Sequence, residues 1–225
     1  AAQPANFIAL GHNLDDQAET VLLQLLRGGG IKGLSAMPVL RQAGGGRPEA
    51  EGTPLRGPNP PPILRPLLDA PRSEIIAYAR RRKLEWIEDD SNSDTGFDRN
   101  FLRHQLLPVI ARRYPSYRTI LARASRHFAE AAQLLEELGA ADAQLTPEGL
   151  SVAGLRRLSV PRAKNALRHF LAARGVSMPN AARLDEYTRQ IFNARRATRL
   201  ALELGTSSLL QFGAELRLVA MTQGP

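Results

Sequence analysis

The sequence predicts an α/β protein in which part of a parallel-sheet domain is followed by a helical linker and a small α+β domain. An apolar run at residues 7–10 leads into a helix, a helical period covers residues 117–138, and alternating segments follow at 200–204 and 215–219. Continuous apolar runs are typical of buried parallel strands, whereas alternation is typical of antiparallel strands. The predicted limits are 1–115, 116–138 for the bridging helix, and 139–225.

The first strand is predicted to end at Gly11, and Asn13 or Asp15 is positioned to cap the helix after it. The apolar residues of this helix recur every three or four positions and form one stripe. They are Ala18, Val21, Leu22, Leu25 and Leu26. Arg27 and the three glycines at 28–30 end the helix.

Residues 41–62 are rich in glycine and proline, which predicts a surface loop within the first domain. Pro71 then opens a second helix, residues 84–87 alternate like a short strand, and an acidic turn follows at 88–94. Helices are predicted at 99–114, broken at Pro108 and Pro115, and at 117–138. The second domain is predicted to contain a strand at 150–152, helices at 161–173 and 180–192, and a terminal antiparallel meander.

Composition excludes several classes of site. The chain has no cysteine, which removes disulfides, iron–sulfur clusters and thiolate chemistry, and its four histidines lack the spacing of helical metal ligands. No run approaches the roughly 18 apolar residues of a membrane span, and no signal segment is visible at the start. We therefore expect a cytoplasmic protein without a membrane partner.

The positive charge of the chain predicts a polyanionic partner. The net charge is +8, and only three of the 30 cationic residues are lysine. Arginine forks suit phosphate oxygens. Two long segments, 99–127 and 149–184, contain bases and no acid. Nucleic acid is the expected partner, although solvated helix faces would give the same pattern.

An acidic cluster marks the start of the first helix. His12, Asp15, Asp16 and Glu19 lie where a parallel strand gives way to a helix, and ligands bind at that edge of open α/β sheets. These groups could hold Mg²⁺ bound to phosphates or orient an amine nucleophile. Alternatively, Asp16 and Glu19 only complement the helix dipole. Asp15 is predicted near the inward face, where a carboxylate needs a partner.

Four ordered motifs now indicate a family. His-x-x-Asp-Asp-Gln-x-Glu-Thr at 12–20 leads into Leu-Leu-Arg-Gly-Gly-Gly-x-x-Gly-Leu at 25–34. Ile-Leu-Arg-Pro-Leu at 63–67, Trp-Ile-Glu-Asp-Asp-Ser-Asn-Ser-Asp at 86–94 and Asp-Arg-Asn-Phe-Leu-Arg at 98–103 follow. Together they closely resemble the N-type ATP pyrophosphatase (PP-loop) domain of bacterial tRNA(Ile)-lysidine synthases, which implies an adenine nucleotide alpha hydrolase-like fold for the first domain.

The resemblance implies an ATP-dependent ligase that forms a carbon–nitrogen bond. ATP, with Mg²⁺, would adenylate the C2 oxygen of the wobble cytidine in tRNA(Ile) carrying a CAU anticodon, with release of pyrophosphate. The side-chain amine of L-lysine would then displace AMP and leave lysidine. A homodimer is compatible with the sequence. Another tRNA-modifying adenylating pyrophosphatase, or a non-catalytic tRNA-binding protein that has lost the ATP loop, are the alternatives.

The same resemblance implies roles for individual residues. The catalytic group comprises His12, Asp15, Asp16 and Glu19, with Asp15 and Asp16 near Mg²⁺ through ATP. The residues for substrate or phosphate are Arg27, Arg99, Asn100 and Arg103; surface pairing of Arg99 and Arg103 with Asp94 and Asp98 is equally compatible. Asp89 and Asp90 could be caps or ligands. The tRNA contacts would be Arg112, Arg113, Arg156, Arg157, Arg162, Lys164 and Arg168, although Arg168 could instead cover apolar surface with its stem.

One departure from the family pattern bears on activity. Lysidine synthases open with a strand and a Ser-Gly-Gly-x-Asp-Ser loop whose amides hold ATP phosphates, and these 225 residues contain no such segment. The expectation is therefore of a truncated chain that is inactive by itself.

Overall fold

The computed structural model describes residues 6–42, 61–87, 94–146, 149–193, 200–205 and 207–220. The chain forms two compact units, Ala1–Ala132 and Gln133–Pro225. The domain limits predicted at 115 and 138 stay predictions. Within the described ranges, no helix is both long and apolar enough to cross a membrane.

The first unit contains a small mixed sheet. Strand β1 (Ile8–Ala9) pairs in parallel with β3 (Ile63–Leu64), and β2 (Leu40–Arg41) pairs antiparallel with β3, giving the order β1-β3-β2. The predicted parallel pairing is confirmed. The loop predicted at 41–62 lies mostly outside the described residues, as do Asp89 and Asp90.

Helix α1 (Leu14–Leu26) follows β1, as predicted. The Asn13 side chain accepts hydrogen bonds from the backbone N–H groups of Asp15 and Asp16, and the Asp16 carboxylate accepts from the N–H of Asn13. This reciprocal capping box fixes where the helix begins. At the other end, Gly28 has a φ of 69°, a left-handed conformation that glycine adopts without strain.

The predicted apolar stripe of α1 is only partly buried. Ala18 and Val21 are buried, whereas Leu25 and Leu26 are 55% and 65% exposed. Helices α5 (Leu107–Arg113) and α6 (Tyr117–Asp142) contribute the residues that pack with Ala18 and Leu22. In the part of the unit that the structure describes, nothing covers Leu25 and Leu26, so the stripe faces the core only along the earlier turns of α1.

Two further helices of the first unit follow α1 and the sheet strand β3. Helix α2 (Ile31–Leu34) follows α1, and α3 (Arg72–Arg81) follows β3. Lys83 ends α3 with a φ of 53°, and the N–H of Leu84 donates to the carbonyl of Ala79 at 2.9 Å. The strand predicted at 84–87 is wrong, since these residues pair with no described strand and Ile87 is 97% exposed.

The predicted break at Pro108 is also wrong. Helix α4 (Asp98–Phe101), a π-helical turn (Leu102–Leu106) and α5 form one run, with Pro108 in the first turn of α5. A proline lacks the N–H that donates to the preceding turn, and the wider π turn lies immediately before it. The helical run therefore continues to Arg113.

The second unit packs helices against an antiparallel sheet. Its strands are β4 (Leu150–Ser151), β5 (Ala201–Glu203), β6 (Ser207–Phe212) and β7 (Glu215–Ala220), in the order β4-β7-β6-β5. Its helices are α7 (Val152–Arg157), α8 (Val160–Ala173) and α9 (Ala181–Asn193). Leu150, Phe170, Leu171 and Leu216 have no measurable exposure at the centre of the core. The predicted helices and terminal meander are confirmed.

Candidate active site

Two arginines from α4 and the π turn meet two acids of α1. The Glu19 carboxylate accepts from Arg103 through Nε at 2.8 Å and Nη2 at 2.9 Å, and from Arg99 Nε at 2.9 Å. Asp16 Oδ1 accepts from Nη2 of Arg99 at 3.2 Å and of Arg103 at 3.3 Å. We call these four residues the acid–arginine cluster. It joins the first and last sequence motifs of the unit.

Burial within the cluster is uneven. The Glu19 side chain is only 2% exposed, whereas those of Arg99 and Arg103 are 26% and 21% exposed. The hydrogen bond to Glu19 raises the pKa of the Arg103 guanidinium, which keeps this group charged at the edge of solvent. Such guanidinium groups can bind a phosphate if it reaches them.

The geometry decides between two sequence alternatives. Glu19 is not a surface acid that only complements the helix dipole, since it is nearly inaccessible and bonded to two cations. The described partners of Arg99 and Arg103 are likewise Asp16 and Glu19 rather than Asp94 and Asp98.

Asp15 has a separate set of partners. Its Oδ1 accepts from Arg118 Nε in α6, and its Oδ2 accepts from the backbone N–H of Arg72 in α3 at 2.9 Å. Asp15 therefore links the starts of three helices. The expectation that it needs a partner is met by contacts that the sequence did not single out.

These contacts do not fit direct Mg²⁺ coordination by Asp15 and Asp16. All four of their carboxylate oxygens accept from protein N–H donors, and three of the donating groups are guanidinium cations. Mg²⁺ needs oxygen ligands in octahedral geometry, and adjacent cations would repel it. Among the described residues, no group of three or more His, Asp or Glu side chains could hold a metal ion.

His12 lies beside a buried arginine, Arg65, for which the sequence alone indicated no role. Arg65 is 1% exposed, and its Nε donates to His12 Nδ1 at 3.1 Å while Nη1 donates to the carbonyl of Pro38 at 3.1 Å. A neutral His12 then carries its proton on Nε2. The sequence feature that could have indicated a buried role for Arg65 is its position as a charged residue within the apolar run at 63–68.

Gln17 is a second buried polar residue whose role the sequence did not indicate. Its Nε2 donates to the Met37 carbonyl at 3.0 Å and to Ser125 Oγ at 3.2 Å, while its Oε1 accepts from the Met37 N–H at 3.1 Å. Gln17 is 6% exposed. This side chain fastens α1 to α6 and to the loop before β2, which positions the acids on the neighbouring turns.

Two predicted substrate residues lie at the edge of the cluster. Arg27, at the end of α1, forms an exposed ion pair with Asp98 at 2.6 Å, directly before Arg99 in the chain. Asn100 is 8% exposed, and its Nδ2 donates to the Asp94 carbonyl at 2.8 Å. Asn100 therefore braces the turn that opens α4.

Several predicted tRNA contacts have structural partners in the second unit. Arg162 binds Asp142, which is 5% exposed, through two hydrogen bonds, and lowers the pKa of that carboxyl. Lys164 pairs with Asp185, and Arg156 Nε donates to the Ile191 carbonyl at 2.8 Å. These contacts explain the positions of Arg156, Arg162 and Lys164 without RNA.

The other predicted tRNA contacts are less engaged. Arg157 is exposed and makes one 3.4 Å hydrogen bond to the Ala153 carbonyl. Arg112 and Arg113 are exposed at the end of α5, and Arg168 is half-buried on α8. Within the described part of the chain, no ion pair or hydrogen bond holds these three side chains, so they remain available to a polyanion.

Each of the two units matches a known protein family. Residues 1–110 match the PP-loop domain family, and residues 150–216 match the TilS substrate binding domain family. A tRNA(Ile)-lysidine synthase from Nitrosomonas europaea is 48% identical over 191 residues, which cover 84% of this chain and 39% of that protein. Those from Ralstonia nicotianae and Chromobacterium violaceum are 47% and 41% identical, over 85% and 93% of this chain and 38% and 46% of their own lengths. The chain thus spans about two fifths of the length of these curated relatives.

Proposed function

This chain belongs to the tRNA(Ile)-lysidine synthase family, and on that premise we propose that it serves the ATP-dependent attachment of L-lysine to a tRNA. The acceptor is the wobble cytidine of tRNA(Ile) with a CAU anticodon. ATP adenylates the C2 oxygen of the base and releases pyrophosphate. The side-chain amine of lysine then forms the new carbon–nitrogen bond at C2, and AMP leaves with the oxygen.

The acid–arginine cluster is the observation that carries this proposal. Arg99 and Arg103 present two adjacent cations, each about a quarter exposed, that can neutralise phosphate oxygens. Glu19 holds both guanidinium groups from the buried side. Positioned cations of this kind stabilise the charge that develops as pyrophosphate or AMP leaves.

Asp16 is the carboxylate that we assign closest to the chemistry. Its Oδ2 is fixed by the Asn13 N–H, whereas its Oδ1 makes only the two longer bonds, at 3.2 and 3.3 Å, to Arg99 and Arg103. If a phosphate takes up the Nη2 groups of Arg99 and Arg103, Oδ1 can accept a hydrogen bond from the attacking amine. We assign Mg²⁺ to the ATP phosphates rather than to Asp15 or Asp16.

The unpaired cations support the RNA side of the proposal. Arg112 and Arg113 in the first unit, and Arg157 and Arg168 in the second, are the side chains best placed to reach RNA phosphates. Arg156, Arg162 and Lys164 are assigned instead to holding the second unit together. A homodimer stays a prediction.

An assay of lysine transfer by the full-length protein tests the proposal. The assay combines ATP, radiolabelled lysine and a tRNA(Ile) transcript with a CAU anticodon. Transfer of label to this RNA, and none to the same RNA with uridine in place of the wobble cytidine, is expected. Absence of transfer, or equal labelling of both RNAs, would contradict the proposed function.

A further inference from the structure

We propose that a cleft between the starts of α3 and α6 binds a phosphate group of a substrate, at a site separate from the acid–arginine cluster. The cleft has a volume of about 600 Å³ and lies wholly within the first unit. Arg72 and Ser73 line one side of it, and Arg118 and Thr119 line the other. The inference rests on the proposed function, which supplies two phosphate-bearing substrates, ATP and tRNA.

The donors around this cleft are those that bind phosphate oxygens. Arg72 is exposed, and in the described ranges its guanidinium makes no hydrogen bond or ion pair. Arg118 uses its Nε on Asp15 and its guanidinium lies 4.5 Å from the centre of the Tyr117 ring, while its two terminal nitrogens make no hydrogen bond to a described residue. The hydroxyls of Ser73 and Thr119 add two further donors. Guanidinium forks and hydroxyls together are suited to phosphate recognition.

The positions of the two arginines are unfavourable for the helices themselves. Arg72 is the first residue of α3 and Arg118 is the second residue of α6, where the helix dipole presents positive charge. Helices are stabilised by acids at these positions, yet here both carry cations. Asp15 compensates Arg118, whereas Arg72 has no described acidic partner. An anion bound in the cleft would remove this conflict for both helices.

Among the first N–H groups of α3, that of Ser73 is left for the ligand, since Arg72 donates to Asp15 and Glu74 donates to the Pro71 carbonyl. No side chain caps the start of α3 at Pro71, and the only N–H of its first residues that a side chain accepts is that of Arg72, bonded to Asp15. Asp15 contributes the one negative charge among the described residues that line the cleft, and it faces two arginines. The cleft is therefore net positive before the helix ends are considered. Since Asp15 directly precedes Asp16, a phosphate here would lie close to the candidate active site.

Two variants of the complete protein separate binding from folding. Arg72→Gln removes the unpaired cation. Ser73→Asp adds a negative charge to the cleft, and this acid in the first turn favours α3, so the protein should fold at least as well. Arg80→Gln is the matched control, because Arg80 is an exposed arginine on the same helix, about 12 Å further along it.

Affinities for the tRNA transcript and for ATP are measured separately, with melting temperatures for every variant. We expect both cleft variants to lower the affinity for one of the two ligands about tenfold. This is the size of effect that follows from losing a hydrogen bond to a charged group. If the tRNA is affected, the source is the RNA backbone, and the slope of log affinity against log salt should fall by roughly one for Arg72→Gln. If ATP is affected, the source is the nucleotide.

Unchanged affinity for both ligands would overturn the cleft site, and so would an equal loss in Arg80→Gln. Binding is read without lysine transfer, so the two proposals can fail independently. A wild-type protein that transfers no lysine but loses affinity in the cleft variants keeps the site and loses the proposed function. A wild-type protein that transfers lysine normally, with cleft variants of unchanged affinity, keeps the proposed function and loses the cleft site.

Discussion

Glu19 and Arg103 bind each other through two parallel hydrogen bonds, of 2.8 and 2.9 Å, although 84 residues separate them in the chain. The carboxylate is buried and the guanidinium reaches the edge of solvent. A planar pair of this kind holds the arginine in one orientation. Because Arg99 shares the same carboxylate, Glu19 sets the geometry of both cations.

Replacing Glu19 should destabilise the first unit. Glu19→Gln leaves two guanidinium groups without a buried counter-charge, which costs about 3 kcal/mol when a buried pair loses one partner. Urea unfolding measures the change. Glu130→Gln is the control, because Glu130 is 74% exposed and pairs only with His127 among the described residues, so it should change stability by less than about 0.5 kcal/mol. Equal stability of the two variants would contradict the importance of the Glu19 pairs.

Asp16→Asn in the complete protein should abolish lysine transfer and leave tRNA affinity nearly unchanged. The amide oxygen can still accept from the Asn13 N–H, so the helix start is kept, but the charge that faces Arg99 and Arg103 is lost. Transfer of labelled lysine and filter binding of the tRNA are the two measurements. Turnover at the wild-type rate would remove Asp16 from the chemistry.

Two of the three predicted RNA contacts on α8, Arg162 and Arg168, should behave differently. Arg168→Gln should weaken tRNA binding at unchanged melting temperature and lower the salt slope by roughly one, because a phosphate contact is lost. Arg162→Gln should lower the melting temperature, because Asp142 loses its ion-pair partner. An identical pattern in both variants would mean that pairing with Asp142 does not distinguish them.

The same ion pair predicts a pH dependence. Arg162 holds the pKa of the Asp142 carboxyl below its ordinary value of 3.8, so the pair stabilises the fold above about pH 4 and loses this effect as pH falls through the lowered pKa. Asp142→Asn should therefore be less stable than the wild type at pH 6, with a smaller difference at pH 2.5. Urea unfolding at both pH values tests this. A constant difference would exclude the ionised carboxylate as its cause.

Lys83→Gly should stabilise the first unit by about 1 kcal/mol. Lys83 adopts a left-handed φ of 53°, which is unfavourable for residues with a side chain and free for glycine. Gly175→Ala tests the reverse case at the end of α8, where φ is 67° and an added Cβ would contact nothing within 4 Å. Its expected loss of about 1 kcal/mol comes from the backbone alone. Thermal unfolding reports both; a less stable Lys83→Gly would contradict the assignment of strain.

Local patterns in the sequence predicted those parts of the fold that local interactions determine. The cap at Asn13, burial of Ala18 and the alternation around Leu216 follow from neighbouring residues, and the structure agrees. Burial of the last turn of α1 and pairing of residues 84–87 depend on what other segments cover, which periodicity does not contain. The strand prediction at 84–87 was wrong for that reason, and the apolar stripe of α1 is buried only in part.

The site shows the same division. Ordered motifs indicated Asp16, Glu19, Arg99 and Arg103, but not that they bind one another. Arg162 and Lys164 read as free charges because their acidic partners lie 20 and 21 residues away. Ion pairs between residues so far apart in the sequence can be recognised only once the packing of the helices is known.

The two carboxylate oxygens of Asp16 bind different parts of the first unit. Oδ2 secures the first turn of α1, while the described partners of Oδ1 are the Nη2 groups of Arg99 and Arg103. An incoming anion could therefore compete for these two Nη2 groups without unwinding any backbone, while the Nε of each arginine keeps its bond to Glu19. Binding and release of an anion there would be a matter of side-chain rotation, which takes far less time than refolding a helix end.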